Sequence, residues 1–347
     1  MTGARSEGSP AAPSGRGPVS MRQVAELAGV SVATVSNAIN RPDIVTPKVR
    51  NRVKKAIREL GYVRNESART LRTGRSDEIG LVVPDASSPF WGPVVDAADT
   101  AANDVDAVIS LFSSHGDRVR EQHIFQRLIN HRVRGVLAAS LDRDTTALDL
   151  FRTAGIPFAL LAQGGREGGF CCVYNDDRVG GRLVGEHLME LGHRTVTFVG
   201  TRFPERLEGI SGPVRAAGAT ISEINPDQMT FDEGYRAGLR ILDAPVADRP
   251  TSVACATDIL AIGLLLALTE RGLRVPEDIS VTGYDDIEVA QAAIVPLTTV
   301  RQPTGEIGSR AVRLLNDEIV EGVDHHHSAV VFHPALVVRR STGMVPR

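Results

Sequence analysis

The sequence predicts a small all-α module near the amino end, followed by an α/β region of doubly wound parallel sheets. Two observations lead to this fold class. Residues 20–61 carry three consecutive helix signals, and from residue 79 onward short apolar runs alternate with helical stretches. The chain has 347 residues, of which 42% are hydrophobic, so it is long enough to form two or three domains with a sizeable core.

The first two helices carry the signals of a helix-turn-helix unit. Ser20 and Gln23 have the spacing of a capping box, so a helix begins there, and Gly29 ends it. Ser31 then caps a second helix over residues 32–40. A turn of a few residues with a glycine between two helices is typical of this DNA-binding motif.

A third helix is predicted at residues 47–60. Thr46 caps it, Pro47 takes the first helical position, where a missing N–H costs nothing, and Gly61 ends it. Apolar residues recur along it at helical spacing, which predicts one face packed against the other two helices.

The charge of this helical module points to nucleic acid. Between residues 19 and 75 there are twelve Lys or Arg and four Asp or Glu, a net charge of +8, whereas the whole chain carries −3. A basic module on an acidic body indicates phosphate binding at one end. The alternative is a solvated basic domain that binds protein or no partner, but helix caps, turn and charge together favour DNA.

The second helix supplies the residues expected to read DNA. Val32, Ala33 and Asn37 lie at its start and on one face, which a recognition helix presents to the major groove. Asparagine can pair with adenine, and a small apolar side chain can pack on a thymine methyl group. Four polar neighbours are expected to contact phosphate: Ser31, Thr34, Ser36 and Asn40.

The α/β region is predicted from its apolar runs. Buried parallel strands are expected at residues 79–83, 107–112, 135–139, 158–162, 195–199, 252–256 and 279–283. Helical stretches lie between them, for example at 119–129, 179–191 and 260–271. Ligands of such sheets bind in a crevice at the carboxyl ends of the strands.

Five short stretches carry a family resemblance: VAELAGVS at 24–31, TVS at 34–36, IN at 39–40, GY at 61–62 and ARTL at 68–71. With them, the chain resembles the LacI family of bacterial transcriptional regulators from residue 19 almost to its end. The resemblance implies a repressor without a cofactor, whose operator binding is controlled by a small-molecule effector acting as inducer or corepressor.

The resemblance also implies the domain order. A disordered tail (1–18) precedes the headpiece (19–64), a hinge helix with linker (65–77) and a core like a periplasmic sugar-binding protein (78–347). Three crossovers would divide the core into two lobes. Lobe 1 would hold 78–176 and 304–326, and lobe 2 would hold 177–303 and 327–347.

The resemblance in the hinge implies both the symmetry of the operator and the oligomeric state of the protein. In the family this helix forms on DNA, and a leucine that matches Leu71 enters the minor groove, with Ala68 beside it. The alternative is that Leu71 packs within the linker. One wedge per subunit predicts a homodimer on a pseudo-palindromic double-stranded operator. Only five residues follow the core match at 337–342, too few for a tetramerising helix.

Candidate effector contacts follow the predicted strands. Phe90 and Trp91 offer aromatic faces for a sugar ring or a planar base, and Asp258 and Asp285 offer carboxylates for hydroxyl groups. The alternatives are core aromatic residues and, for Asp258, a helix N-cap. The resemblance favours Asp285 as a contact and adds three further residues: Arg206, Gln302 and Phe231.

A carbohydrate is the expected effector, with a purine or another metabolite as the alternative. Many family members carry an Asp and an Asn at two positions that here are Ala162 and Thr257. The pocket is therefore expected to be altered on two sides, so the identity of the effector does not carry over from the family.

Other classes of protein explain less of the sequence. A sugar-transport protein needs export, but residues 1–18 lack the apolar run of a signal peptide, and no run reaches the length of a membrane helix. An enzyme needs a catalytic constellation, and the acidic pairs 176–177 and 285–286 come with no clear nucleophile or base. Three cysteines without metal-ligand spacing predict a reducing, cytoplasmic location. The run 325–327 of three histidines predicts an exposed inter-lobe loop in preference to a metal site, since adjacent residues rarely point at one ion.

Overall fold

The computed structural model describes residues 19–63, 76–139, 148–161, 169–201 and 203–345. The chain divides into two units, a headpiece (1–74) and a core (75–347). No helix within the described ranges is long and apolar enough to cross a membrane. Ala68 and Leu71, the two residues predicted to act in the hinge, lie outside the described residues.

The headpiece contains the three predicted helices: α1 (Met21–Ala28), α2 (Val32–Asn40) and α3 (Pro47–Leu60). Both halves of the Ser20–Gln23 capping box form, and Gly29 ends α1 at a φ of +62°, in the left-handed region. Val24, Val35 and Val53 each come from a different helix and are fully buried. Three buried valines thus hold α2 so that its opposite face points outward.

The core contains twelve strands and nine helices among its described residues. The strands are β1 (Glu78–Val83), β2 (Val108–Ser113), β3 (Gly135–Ala138), β4 (Phe158–Leu161), β5 (Cys171–Asn175), β6 (Thr195–Val199), β7 (Thr220–Ile224), β8 (Ser252–Cys255), β9 (Ser280–Thr282), β10 (Thr299–Arg301), β11 (Ala329–Phe332) and β12 (Ala335–Val337). The helices are α4 (Trp91–Asn103), α5 (Arg118–Asn130), α6 (Asp149–Thr153), α7 (Asp177–Glu190), α8 (Pro204–Ala216), α9 (Phe231–Asp243), α10 (Asp258–Glu270), α11 (Glu288–Gln291) and α12 (Thr304–Glu321).

The strands form two parallel sheets, one in each lobe. The first sheet has the order β11-β5-β4-β3-β1-β2, and the second has the order β7-β6-β8-β9. A short antiparallel pair, β10 with β12, accompanies the second sheet. Each lobe therefore has the doubly wound architecture that the alternating apolar runs predict.

The position of β11 corrects the predicted lobe boundary. Residues 327–347 were expected in lobe 2, but β11 pairs with β5 in parallel register, from Ala329 opposite Cys172 to Phe332 opposite Asn175. Val330 and Phe332 pack against the first core, which covers the edge that β5 would otherwise leave open. The third crossover therefore lies after Phe332, between β11 and β12.

Helices α7 and α8 pack with their backbones in close contact. A Cβ atom on Gly181 of α7 would overlap the carbonyl group of Arg206 on α8, and one on Gly209 would overlap the carbonyl group of Arg178. Only glycine permits this approach. The two glycines thus fix the position from which the Arg206 side chain enters the core.

The substitution Gly181→Ala is expected to destabilise the core by about 1–3 kcal/mol, because the added methyl group forces α7 and α8 apart. Gly305→Ala is the matched control, since Gly305 is exposed in the first turn of α12 with open space around it. The control should be neutral or slightly stabilising. Thermal unfolding of both variants tests this, and equal midpoints would show that the helices separate at little cost.

Candidate functional site

Helix α2 presents its predicted base-reading residues outward. Val32, Ala33 and Asn37 are exposed, while Val35 and Ala38 on the opposite face are buried in the headpiece. This division of the helix gives a recognition surface with one amide side chain and two small apolar side chains. Such a surface has the size and chemistry to enter a major groove.

The four polar residues predicted to touch phosphate also hold the ends of α2. The Ser31 hydroxyl accepts a hydrogen bond from the Thr34 N–H at 3.0 Å and lies 2.8 Å from the Thr34 hydroxyl. The Asn40 amide donates to the Ser36 carbonyl at 2.8 Å and reaches the Ser36 hydroxyl at 3.1 Å. These bonds keep the side chains at the two ends of the exposed face. Their contact with phosphate remains a prediction.

Helix α3 carries most of the positive charge of the headpiece. It contains six Lys or Arg and one Glu in fourteen residues. A single ion pair, Lys55 with Glu59 at 3.6 Å, joins two of these exposed side chains. The helix therefore adds sequence-independent attraction for a phosphate backbone.

A cavity of about 690 Å³ lies between the two lobes of the core. From the first lobe it is lined by Ala139, which follows β3, and by Asn175, the last residue of β5. From the second lobe it is lined by Thr257, which follows β8. The cavity thus opens at the carboxyl ends of both sheets, as expected for this architecture. Its volume is in the usual range for a small-molecule site.

Arg206 is the central charge of the cavity, although only 5% of the residue is exposed. Its Nη1 donates to the Ala256 carbonyl at 2.5 Å and lies 3.6 Å from Oδ1 of Asp285, while its Nε lies 3.1 Å from Oδ1 of Asp177. Burial alone would lower the pKa of the guanidinium, but Asp177, Tyr284 and Asp285 outweigh burial and raise it. Arg206 is therefore a permanent buried cation.

Aromatic rings enclose the Arg206 guanidinium. Its central carbon lies 3.6 Å from the ring centre of Tyr284 and 4.1 Å from that of Phe203. The Tyr284 hydroxyl donates to Asp177 at 2.9 Å. Stacking and ion pairing together fix the plane of the guanidinium, so its remaining donors point in a defined direction.

Asp285 joins Arg206 to a second set of polar side chains. Its Oδ1 accepts a hydrogen bond from Nε2 of Gln302 at 2.6 Å, and Gln302 in turn accepts a short hydrogen bond from Asn175. Burial raises the pKa of Asp285 well above its ordinary value, although Arg206 opposes this. Its backbone φ is +111°, which a residue with a side chain rarely adopts. Backbone strain of this kind persists only where surrounding contacts hold the residue in place, and it is common at ligand-binding sites.

The network of Asn175, Gln302 and Asp285 connects the two lobes. Asn175 ends β5 in the first lobe, Asp285 follows β9 in the second, and Gln302 lies at the second crossover, between β10 and α12. The Oδ1 atom of Asn175 is buried and has no hydrogen-bond partner within the described structure. A hydroxyl or N–H group of a bound ligand would satisfy this acceptor.

The positions of Phe90 and Trp91 are compatible with both of the roles considered for them, and contact with the effector stays a prediction. Their rings meet edge to face at 5.0 Å, and both residues pack into the core of the first lobe. Both also line the cavity, although only 9% and 7% of their surfaces are exposed. Phe231, which is 38% exposed, lines the cavity from the second lobe. The cavity therefore has aromatic surfaces on both sides.

Asp258 does not line the cavity, which corrects its predicted effector contact. Its Oδ1 accepts a hydrogen bond from the Thr299 hydroxyl at 2.6 Å, and its Oδ2 accepts one from the Ile287 N–H at 2.9 Å. Burial raises its pKa to about 7 despite these bonds. Nor is it the N-cap of α10, because Thr257 fills that position. Asp258 instead ties α10 to the segments around β10.

The cavity residues that the sequence analysis did not predict include Asn175, Asp177 and Phe203, which surround the buried polar network. Asp177 belongs to a pair of carboxylates that had been set aside for lack of a nucleophile, yet it is the partner of Arg206. Asn175 ends a strand that was not predicted, because β5 is short and mixes cysteine, tyrosine and asparagine. An Asn-Asp-Asp run after an apolar segment is the signal that could have revealed both.

Comparison with known proteins agrees with this geometry. Residues 20–65 match the model of bacterial regulatory proteins of the lacI family, and residues 186–342 match that of a periplasmic binding protein-like domain. The HTH-type transcriptional regulator CelR of Thermobifida fusca is 36% identical over 339 residues, covering 92% of this chain and 97% of that protein. The chain belongs to the LacI family. It is therefore a sequence-specific DNA-binding transcriptional regulator with an effector-binding core.

Other relatives differ in their named function. The HTH-type transcriptional repressor PurR of Proteus mirabilis (strain HI4320) is 32% identical, covering 94% of this chain and 97% of that protein. A CelR–cellobiose complex has a TM-score of 0.69 at 33% identity, over 93% of this chain and 99% of that one. A lac repressor dimer bound to operator and the anti-inducer ONPF has a TM-score of 0.82 at 27% identity, over 94% and 100%.

The substitution Asn37→Ala is expected to relax base preference at one position in each half-site, at a cost of about 1–3 kcal/mol on the preferred sequence. Lys54→Ala is the comparison variant, because loss of an exposed charge on α3 should weaken binding to all sequences alike. Selection from a randomised operator pool distinguishes the two effects. If Asn37→Ala also weakens every sequence equally, Asn37 contacts only the backbone of the DNA.

Proposed function

We propose that this protein is a homodimeric repressor whose affinity for a pseudo-palindromic operator is set by a small carbohydrate bound between the lobes of the core. The observation that carries this proposal is the cavity itself. Aromatic surfaces lie on both sides of it, and a buried Arg206–Asp285 pair lies at its base. The protein acts by binding its ligands and not by turning them over.

A carbohydrate suits the cavity for two physical reasons. The aromatic rings can cover the apolar face of a sugar ring, while carboxylate, amide and guanidinium groups can pair with its hydroxyls. Asn175 adds a buried acceptor that has no hydrogen-bond partner among the described residues. The similarity to CelR supports this class of ligand, because the similar solved structure of CelR is a complex with cellobiose.

The coupling to DNA follows from the way the cavity is built. A ligand that touches both lobes changes their closure only through its different affinity for the closed and open arrangements. Asn175, Gln302 and Asp285 connect the lobes, so ligand contact with any of them acts on the crossovers. Operator and effector binding are then reciprocally coupled, typically by about 1–3 kcal/mol. Leu71 and Ala68 of the hinge would transmit the change to the minor groove.

A purine is the second candidate for the effector. The relative named PurR is 32% identical over nearly the whole chain, and an aromatic surface also suits a planar base. The two candidates differ in the groups that they offer to Arg206 and Asp285. Parallel titrations distinguish them directly.

Titration with the true effector is expected to change the fluorescence of Trp91, the sole tryptophan of the chain, because Trp91 lines the cavity. Cellobiose, a panel of monosaccharides and a panel of purine bases are the probes, and operator affinity is measured with each. We expect a saturable change with a carbohydrate, together with an altered operator affinity. A response confined to purines would transfer the proposal to that class, and no response to either class would contradict it.

The substitution Asp285→Asn is expected to raise the effector concentration needed for half response by about 10- to 100-fold, since a hydrogen bond to a charged group is lost. Asp243→Asn, an exposed change at the end of α9, is the control. If the effector is an inducer, the Asp285 variant keeps its operator affinity without ligand. If it is a corepressor, the variant fails to bind the operator even with ligand. A normal response would place the effector elsewhere.

A further inference from the structure

Four side chains that commonly bind metals meet at one edge of the first sheet. Cys171 begins β5, Glu318 lies in the last turn of α12, and His325 and His327 lie in the connection that leads to β11. Their ligand atoms all lie within 4.8 Å of one another. The Cys171 sulfur is 3.1 Å from Nε2 of His325 and 3.9 Å from Nδ1 of His327, which is 4.0 Å from Oε2 of Glu318.

The fold explains why these residues converge. Strand β11 runs parallel to β5 at the sheet edge, so the residues just before β11 lie beside the start of β5. Alternate residues of an extended segment point the same way, which brings His325 and His327 together and leaves His326 exposed between them. The histidine run was predicted to be an exposed inter-lobe loop, but it joins α12 to β11 within the first lobe. His326 and His327 are exposed as predicted, whereas the His325 side chain is only 5% exposed.

Two further features suit the cluster to binding an ion. The Nδ1 atom of His325 lies 2.7 Å from Oε2 of Glu321, so the carboxylate holds the ring with Nε2 directed toward Cys171. A carboxylate behind a ligating histidine is the usual arrangement around protein-bound zinc. The Oε2 atom of Glu318 is buried and lacks a hydrogen-bond partner in the described structure. An unpartnered buried carboxylate oxygen is costly unless a cation or donor satisfies it.

We propose that Cys171, His325, His327 and Glu318 bind one Zn²⁺ ion. One sulfur, two imidazole nitrogens and one carboxylate oxygen are the four donors of a tetrahedral zinc site. Zn–S bonds of about 2.3 Å and Zn–N bonds of about 2.0 Å place tetrahedral donors roughly 3.3–3.6 Å apart. Three donor pairs here lie 3.1, 3.9 and 4.0 Å apart, and all four donors lie within 4.8 Å of one another, so the side chains need to move inward by less than about 2 Å to bind one ion.

The charge balance also favours zinc. Cysteine binds zinc as a thiolate, so the Cys171 thiol loses its proton when the ion binds. On binding, the sulfur–hydrogen bond is replaced by a sulfur–zinc bond, and the proton passes to solvent. The resulting thiolate and the Glu318 carboxylate together neutralise the two positive charges of the ion. Mg²⁺ and Ca²⁺ prefer oxygen donors and do not suit this set.

The site would act on a different part of the core from the effector. Cys171 lies at the amino end of β5, whereas the effector cavity lies at the carboxyl ends of the strands. A zinc ion here would bind residues 322–328 to the first sheet and hold β11 beside β5. Because the metal binds only the folded chain, it would raise the thermal stability of the core.

The test uses the full chain, purified without a histidine tag and stripped with a chelator. Addition of Zn²⁺ should show one tightly bound equivalent by calorimetry and raise the melting temperature. Replacement by Co²⁺ should give the intense visible bands of a tetrahedral site and a near-ultraviolet band from thiolate coordination. The cobalt spectrum of the unaltered chain needs no variant, so the proposal stays testable even if a variant misfolds.

Matched variants identify the ligands. Cys171→Ser and His325→Ala should each weaken Zn²⁺ binding by more than 100-fold and remove the thiolate band or change the cobalt spectrum. Cys172→Ser and His326→Ala are the controls, since Cys172 packs into the opposite face of the sheet and His326 is exposed. Binding of less than one equivalent, a cobalt spectrum without the thiolate band, or equal loss in Cys172→Ser would overturn the proposal.

Discussion

The buried Arg206 guanidinium is the charge around which the effector cavity is organised. Removing a cation from water is costly, so its partners must be fixed before the site can be stable. Asp177 and Asp285 supply opposite charge, and Tyr284 supplies an aromatic face. The position of the guanidinium depends in turn on the backbone contact at Gly181, since α7 and α8 must approach closely for Arg206 on α8 to reach Asp177 on α7. The packing of α7 against α8 and the pairing of the buried charges therefore depend on each other.

This constraint also limits how the lobes can move. Arg206 and Asp285 belong to the second lobe, and Asp177 begins the helix just after the first crossover. Through Gln302, the same network reaches Asn175 at the end of β5. A change in lobe closure must either keep these buried partners together or replace them with groups of the ligand. The bond that reaches the first lobe joins two neutral amides, Asn175 and Gln302. A buried amide left without a partner costs about 1–3 kcal/mol, so arrangements of the lobes that break this bond are disfavoured.

A feature could be predicted from the sequence when it depends on residues that are close together in the chain, and not when it depends on distant ones. The headpiece helices were predictable because caps, glycine ends and apolar spacing are local signals. Asp285 was predicted from its position after a strand, and Arg206 and Gln302 through family resemblance; the structure places all three on the cavity. The predicted effector contact of Asp258 was wrong, because its side chain is held by residues 29 and 41 positions away. Asn175 was missed because strand β5 itself was not predicted. The pairing of β11 with β5 is equally remote and moved the predicted lobe boundary.

Strand β5 shows how much depends on that remote pairing. Successive residues of a strand point to opposite faces, so a slip of one residue would exchange the two cysteines between the cores on either side of the sheet. The same slip would withdraw the Cys171 sulfur from His325 and carry Asn175 away from Gln302. The pairing of Cys172 with Ala329 and of Asn175 with Phe332 therefore sets two clusters of polar side chains at once, one at each end of a five-residue strand. The register of the first sheet is as much a part of the effector site as the residues that line it.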